Sequence, residues 1–198
     1  MSDAAEGPQF DAIQNSTQRL GVLDRLVAAQ ARTGERRVRV LEVGSYEGGS
    51  ALVLSRAVAE HFPDGGSILC VDPWVAYLPE EQFSASDVGC RMLAAYRAGD
   101  VFQRFKRNIQ FADPRAPITY IQGYFADVAW KLQDRYPFDL IYIDGDHRYA
   151  TVREDIAAAR TLLAPGGVLC GDDLEVQYNP ANEKAIQKTV AQTVVDLI

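Results

Sequence analysis

The sequence is short of the residues and runs that mark several classes of protein. Its 198 residues include only three cysteines and two histidines, and the cysteines lack the spacing of a metal motif. Cys70 and Cys170 lie in apolar runs, which predicts thiols buried in the core. No apolar run is long enough to span a membrane, and the first residues show no secretory pattern. We therefore expect a cytoplasmic protein with reduced cysteines and no membrane partner.

The sequence also has fewer basic than acidic residues. Lysine and arginine together number 20 against 27 acidic residues, and the net charge is −7. This balance disfavours a nucleic-acid partner that is attracted by bulk charge. The apolar share of 47% is ordinary for a soluble globular protein, and the length suits one domain with a sizeable core.

Apolar runs alternate along the chain with patterns of helical period. The runs are continuous rather than alternating, which is typical of strands buried on both faces of a parallel sheet. We predict an α/β fold: a single domain with a doubly wound, mostly parallel sheet. The predicted strands are 38–43, 67–72, 118–122, 138–144 and 167–172. The predicted helices are 16–32, 50–61, 101–111, 149–163 and about 185–197.

Two segments stand apart from this alternation. Residues 1–15 are predicted to be a flexible N-terminus that precedes a domain of residues 16–198. Residues 74–112 are too long for one crossover helix and are predicted to be an inserted lid over the site. A structural insertion or an oligomer contact is the alternative for this segment. Its larger side chains are predicted either to line an acceptor pocket or to pack in the core: Tyr77, Phe83, Met92 and Tyr96.

The stretch "VLEVGSYEGGS" at 40–50 joins the first strand to a helix. Gly44 and Gly48 let a ligand approach the backbone, but the spacing is neither G-x-G-x-x-G nor a Walker loop. Glu42 would repel a pyrophosphate and would tolerate a cation. S-adenosylmethionine carries a sulfonium, an ammonium and no phosphate, so we expect it rather than a dinucleotide. Asp72 ends the second strand, where a carboxylate accepts ribose hydroxyls or caps a turn.

Three carboxylates follow the fourth and fifth predicted strands. Asp144 ends one, and Asp172 and Asp173 end the next. Neighbouring parallel strands lie about 5 Å apart, so these groups would repel one another unless a cation lies between them. Mg²⁺ suits an all-oxygen site and is the ion that we expect. Helix capping is the alternative role for these residues.

The turn, "VDPW" at 71–74 and "IDGDHRYATVREDIAAARTLLAPGGVLCGDD" at 143–173 resemble class I S-adenosylmethionine-dependent methyltransferases. Over residues 38–175 the chain is most similar to a bacterial group that includes metal-dependent small-molecule and sugar O-methyltransferases, with cephalosporin-hydroxylase-like proteins nearby. The resemblance implies a set of cofactor contacts: Glu42, Gly44, Ser45 and Gly48 at the turn, Asp72 at the ribose, Trp74 at the adenosine, Gly123, Tyr124 and Phe125 at the adenine edge, and Asp144.

The resemblance also implies a metal and a base. Related catechol enzymes carry acids where this chain has Asp144, Asp172 and Asp173, and a lysine base where it has His147. His147 is therefore the base or a residue that orients the substrate, and Asp144 is the other candidate base.

These inferences predict an O-methyltransferase that acts on a hydroxyl of a small molecule such as a sugar, a natural product or a catechol. A cofactor-binding protein without activity and a Rossmann oxidoreductase are the alternatives. The resemblance further implies two more strands after the helix that follows the fifth strand. We expect these strands to be absent, replaced by a helix that ends the domain, or supplied by a partner subunit. An open sheet edge invites pairing, so we expect a homo-oligomer.

Overall fold

The computed structural model describes residues 7–10, 17–31, 34, 37–77, 79–83, 87–133, 137–146 and 148–171. Five parallel strands form one sheet in the order β3-β2-β1-β4-β5. The strands are β1 (Val38–Val43), β2 (Gly66–Asp72), β3 (Ile118–Gln122), β4 (Phe138–Ile143) and β5 (Leu163–Gly171). The strand order reverses between β1 and β4, so a crevice forms at their carboxyl ends.

Seven α-helices accompany the described part of the sheet. They are α1 (Thr17–Ala31), α2 (Gly49–His61), α3 (Glu80–Phe83), α4 (Asp87–Ala98), α5 (Asp100–Asn108), α6 (Phe125–Val128) and α7 (Tyr149–Leu162). Short 3₁₀ turns follow α5 and α6, at Ile109–Phe111 and Ala129–Lys131. No helix among the described residues is long and apolar enough to cross a membrane.

The core lies on both faces of the sheet, because successive strand residues point to opposite sides. Val40 packs in a cluster with residues of α1, α2 and α5. Its neighbour Leu41 packs in a second cluster with residues of α6 and α7. Both side chains are fully buried. The doubly wound arrangement expected from the continuous apolar runs is therefore confirmed.

The fifth strand begins earlier than the sequence indicated. The Pro165-Gly166-Gly167 stretch predicted a break before the strand, but β5 begins at Leu163, which pairs with Phe138. A register shift between Phe138 and Leu140 admits the extra residues, and Gly166 adopts a φ of 77°. An irregular strand start thus absorbs residues that ordinarily end a regular element.

The described residues before α1 contact the end of α5. Gln9 lies in the predicted flexible segment and is held by Asn108, which accepts from its backbone N–H at 2.9 Å and donates to its carbonyl at 2.8 Å. The predicted helix at about 185–197 lies outside the described residues. Cys70 is buried as predicted, whereas Cys170 is half-buried and packs at the edge of the first cluster.

Candidate functional site

A cavity of about 450 Å³ opens at the carboxyl ends of β1, β2 and β4. This volume lies within the range of about 300–1,000 Å³ that is typical of small-molecule sites. Six carboxylate residues and one arginine of the described chain line the cavity: Asp72, Asp127, Asp144, Asp146, Glu154, Asp155 and Arg148. The cavity is therefore acidic, which disfavours a ligand that presents several phosphates.

Gly44 brings the end of β1 against the end of β4. Its φ is 85°, in the left-handed region that favours glycine. A Cβ at this position would lie 2.2 Å from the carbonyl oxygen of Asp144. The Asp144 N–H also donates to the carbonyl oxygen of Val43 at 2.7 Å. The glycine is thus required for the two strand ends to meet at the cavity wall.

Asp72 holds the turn after β1 by accepting three backbone hydrogen bonds. Its Oδ2 accepts from the N–H groups of Ser45 and Tyr46 at 2.8 and 3.0 Å, and its Oδ1 accepts from the N–H of Trp74 at 2.5 Å. Burial raises the pKa of this carboxyl, and the three donors oppose that effect. Asp72 also lines the cavity, so one side chain both shapes the turn and faces the ligand space.

Glu42 and Ser45 lie beneath the turn and do not line the cavity. Both are fully buried, and the Ser45 hydroxyl donates to Glu42 Oε2 at 2.5 Å. The Cys70 thiol donates to the same oxygen at 3.3 Å. Burial raises the pKa of Glu42, and Ser45 is the first of the hydrogen bonds that oppose this rise. Glu42 therefore lies behind the cavity wall, and its contact with the cofactor stays a prediction. The cavity instead receives its negative charge from other residues.

Trp74 lies in an aromatic cluster and not on the cavity wall. Its ring centroid is 4.7 Å from that of Phe102 and 4.5 Å from that of Phe105. The indole N–H donates to the carbonyl oxygen of Tyr46 at 2.8 Å, and the side chain is 6% exposed. Trp74 therefore packs behind the turn, and its contact with the adenosine stays a prediction.

Two of the predicted glycines also lie behind the wall. Gly48 has a φ of 86° and precedes α2, and a Cβ there would approach the Phe105 ring at 3.1 Å. The N–H of Gly123 donates to the carbonyl oxygen of Asp72 at 3.0 Å, which ties the end of β3 to β2.

Aromatic side chains form the other walls. Tyr124 and Phe125 follow β3 and line the cavity, with Tyr124 half exposed and Phe125 buried. The segment 74–112 contributes Tyr77, Met92 and Tyr96 to the lining. Burial, followed by the nearby charge of Asp72, raises the pKa of the Tyr96 hydroxyl and keeps it neutral. The side chain of Phe83 lies outside the described residues.

Asp144 follows β4 and lines the cavity. Its Oδ2 accepts from the Tyr142 hydroxyl at 3.2 Å. β5 ends at Gly171, which pairs with Ile143, the last residue of β4. The other residues predicted here, His147, Asp172 and Asp173, lie outside the described residues.

Among the described residues, one cluster of metal-ligating groups lies away from the cavity. Ligand atoms of Asp24, Glu60 and His61 lie within 4.8 Å of one another, and none of these residues lines the cavity. His61 Nε2 lies 3.5 Å from Asp24 Oδ1, which is an ordinary contact between α1 and α2.

The start of α7 supplies cavity residues that the sequence analysis did not assign. Asp146 accepts from the backbone N–H of Arg148 at 2.9 Å and from the Thr151 hydroxyl at 3.0 Å, and it forms an ion pair with the Arg148 guanidinium. Arg148, Thr151 and Asp155 all line the cavity. Their spacing of three and four residues places them on one helix face. That spacing, counted from the end of the predicted fourth strand, was the signal that could have identified Asp155.

Comparisons with known proteins bear on this geometry. A family model described as a methyltransferase domain matches residues 41–174, which are 134 of the 198 residues. No curated protein sequence matches the chain significantly.

Solved structures share the fold at low sequence identity. An O-methyltransferase from Bacillus cereus in complex with SAH superposes with a TM-score of 0.53 at 22% identity, covering 98% of this chain and 71% of that one. A calicheamicin methyltransferase gives 0.55 at 16% identity, with coverage of 85% and 70%. The mycinamycin-pathway methyltransferase MycE, solved with Mg and SAH, gives 0.52 at 23% identity, with coverage of 89% and 39%.

The matched segment contains every described residue that lines the cavity. It also contains all five strands except the first three residues of β1. The resemblance to class I methyltransferases is thereby confirmed, and the chain belongs to the methyltransferase-domain family.

Proposed function

We propose that the protein transfers a methyl group from S-adenosylmethionine to a hydroxyl group of a small molecule. The observation that carries this proposal is the acidic cavity at the point where the strand order reverses. There the backbone of Gly44 lies directly against the backbone of Asp144, and Asp72 lines the ligand space. Such a site suits a cofactor that has a sulfonium and an ammonium but no phosphate. SAH accompanies two of the structures with the same fold, which supports the same cofactor here.

Different described residues would contact different parts of the cofactor. A carboxylate oxygen can accept two hydrogen bonds, and Asp72 Oδ1 accepts one, from Trp74. Asp72 therefore retains capacity for a ribose hydroxyl. Tyr124 and Phe125 lie beside it in the wall and offer apolar surface to an adenine ring. Gly44 lets the methionine portion approach the backbone.

A divalent cation fits the donor chemistry at the next strand ends. Asp144 would hold it together with Asp172 and Asp173, because carboxylate oxygens are the ligands that Mg²⁺ prefers. When bound, the ion would lower the pKa of a coordinated substrate hydroxyl. Mg is present in the MycE structure, which supports this assignment.

The chain's own residues would align the reactants and move one proton. Asp144 or His147 takes the proton from the substrate hydroxyl, and the oxygen then attacks the methyl carbon in line with the departing sulfur. The O–CH₃ bond forms as the S–CH₃ bond breaks, and S-adenosylhomocysteine leaves neutral at sulfur. Most of the acceleration would come from alignment rather than from covalent chemistry.

The segment 74–112 is proposed to act as the lid of the acceptor side. Tyr77, Met92 and Tyr96 contribute lining from this segment, and they present ring and thioether surface to a small organic acceptor. A small hydroxylated acceptor and a homo-oligomer remain our predictions. Light scattering over a broad concentration range tests the oligomer, and a monomer throughout would contradict it.

Transfer itself is tested by supplying S-adenosylmethionine, Mg²⁺ and a panel of catechols, sugars and nucleotide sugars, and by measuring the S-adenosylhomocysteine released. We expect turnover with at least one hydroxylated acceptor and a large loss of kcat in Asp144→Asn. Binding of the cofactor without release of S-adenosylhomocysteine for any acceptor would favour a cofactor-binding protein instead.

The metal is tested by titrating Mg²⁺ into protein that is saturated with S-adenosylhomocysteine. We expect binding in the wild type and its loss in the Asp172→Ala/Asp173→Ala variant, with affinity for S-adenosylhomocysteine retained. The variant Asp24→Ala changes an acid of the other cluster and serves as the control. Equal Mg²⁺ binding in the wild type and the double variant would remove these two residues from the metal site.

A further inference from the structure

Asp155 is a buried acid that faces the cavity. It lies in the second turn of α7, is 4% exposed and belongs to the cavity wall. No described residue donates a hydrogen bond to its carboxylate or forms an ion pair with it, in contrast to the carboxylates of Asp72, Asp144 and Asp146. The proposed mechanism does not use it.

The surroundings of Asp155 add negative charge rather than compensation. Burial, followed by the charges of Asp146 and Glu154, raises the pKa of the Asp155 carboxyl to about 7. The nearest arginine of the wall, Arg148, is already engaged by Asp146. A buried carboxylate without a counter-charge is unfavourable, so a cation that enters the cavity would be stabilised there.

We propose that Asp155 is the counter-ion for an ammonium group of a ligand that binds in the cavity. The inference rests on the proposed function in one respect, because S-adenosylmethionine carries such a group. An amino group on the acceptor is the other source of the same chemistry. In either case Asp155 recognises a cationic nitrogen and does not take part in methyl transfer.

Several other titratable groups line the same cavity, and each of them could also make ligand binding depend on pH. They come from the loop after β4, from α7, from α6, from the loop after β3 and from the segment 74–112: Asp144, Asp146, Arg148, Glu154, Asp127, Tyr124, Tyr77 and Tyr96. Asp72 faces the cavity from the end of β2. The test must therefore measure the pKa of the Asp155 carboxyl itself, because a titration of the whole protein would combine all of these groups.

The test is the pKa of the Asp155 carboxyl, followed by ¹³C NMR in the full chain. The free protein should titrate near 7. If the cofactor supplies the ammonium, saturating S-adenosylhomocysteine lowers this pKa by about one unit or more, and 5′-methylthioadenosine, which lacks the amino-acid portion, leaves it unchanged. A shift of one unit corresponds to about a tenfold change in affinity.

If the acceptor supplies the ammonium, S-adenosylhomocysteine leaves the pKa unchanged. Ethanolamine then lowers it in the loaded protein and ethylene glycol does not. Either pattern supports the proposal and identifies the source. No shift with either amine overturns it.

Affinity gives an independent reading. Asp155→Asn keeps the shape of the side chain and should weaken binding of the effective amine about tenfold at pH 8. Glu60→Gln removes the same charge from an exposed side chain that does not line the cavity, and it should leave that affinity within about twofold. Equal losses in the two variants would contradict a specific role for Asp155.

The failure of the two proposals can be distinguished. If the wild type binds no S-adenosylhomocysteine, the proposed function fails, and the ethanolamine titration of the free protein still decides whether Asp155 receives an ammonium. If S-adenosylhomocysteine binds but neither amine moves the pKa, the function stands and the Asp155 proposal is wrong.

Discussion

At the scale of single residues, Gly44 is the position where the backbone leaves least room. Replacing it with alanine adds a Cβ 2.2 Å from the Asp144 carbonyl oxygen, in a conformation that L-residues rarely adopt. We expect Gly44→Ala to lower the free energy of unfolding by more than about 3 kcal/mol, or to prevent folding, because strain and overlap add. Urea denaturation measures this.

The matched control is Gly99, which has a φ of 70° and no atom within 4 Å of an added Cβ. Gly99→Ala isolates the cost of the backbone conformation and should destabilise by about 1–2 kcal/mol. Equal losses in the two variants would show that the approach of β1 to β4 is not what requires Gly44.

Asp155 gives a residue-scale prediction with a defined sign. Its pKa is about 7 when folded and about 3.9 when unfolded, so the folded protein binds this proton more tightly. Its contribution to stability therefore falls as the pH rises from about 4 to about 7. Asp155→Asn should raise the free energy of unfolding by up to about 4 kcal/mol at pH 8, and by only about 1–2 kcal/mol at pH 5.

Denaturation at both pH values checks this difference between Asp155→Asn and the wild type. A gain that does not depend on pH, or a loss at both values, would show that the carboxylate is compensated in the folded chain.

At the scale of elements, α5 fastens the turn after β1. Asn108 ends α5, is 2% exposed, and donates to the carbonyl oxygen of Glu47 at 2.8 Å in addition to its bonds with Gln9. Arg104 donates to the buried Glu47 carboxylate at 2.8 Å from the preceding turn of the helix. The turn is thus fixed from outside the sheet as well as by Asp72.

We expect Asn108→Ala to cost about 2–4 kcal/mol of unfolding free energy, because it leaves buried backbone groups without partners. It should also weaken binding of S-adenosylhomocysteine, since the turn loses a support. Gln110→Ala is the control: that side chain is exposed and donates only to the carbonyl oxygen of Lys106. A similar small effect of both changes would contradict the fastening role of α5.

Most of the sheet could be predicted because its strands are short, apolar and continuous. The predicted bounds of β1 and β3 agree with the structure, and those of β2 and β4 agree within one residue. β5 was wrong at its start because Pro165 and the following glycines end regular elements in isolation, whereas pairing with β4 draws them into the strand. Local propensity cannot anticipate a partner strand.

At the scale of the whole molecule, the candidate site was predicted where strand order alone determines it. Gly44, Asp72 and Asp144 meet at the cavity because parallel strands end at one edge. Glu42 and Trp74 were expected there too, but strand alternation and the aromatic residues of α5 place both behind the turn. Asp155 was missed because its place in the wall depends on how α7 packs against the cavity.

S-adenosylmethionine, and not a dinucleotide, is the ligand that we propose for the acidic cavity. The most direct measurement is calorimetric titration of the full chain with S-adenosylhomocysteine and, separately, with NAD⁺. We predict binding of S-adenosylhomocysteine, its loss in Asp72→Ala, and no binding of NAD⁺. Binding of NAD⁺ with no response to S-adenosylhomocysteine would overturn the proposal that the cavity binds S-adenosylmethionine.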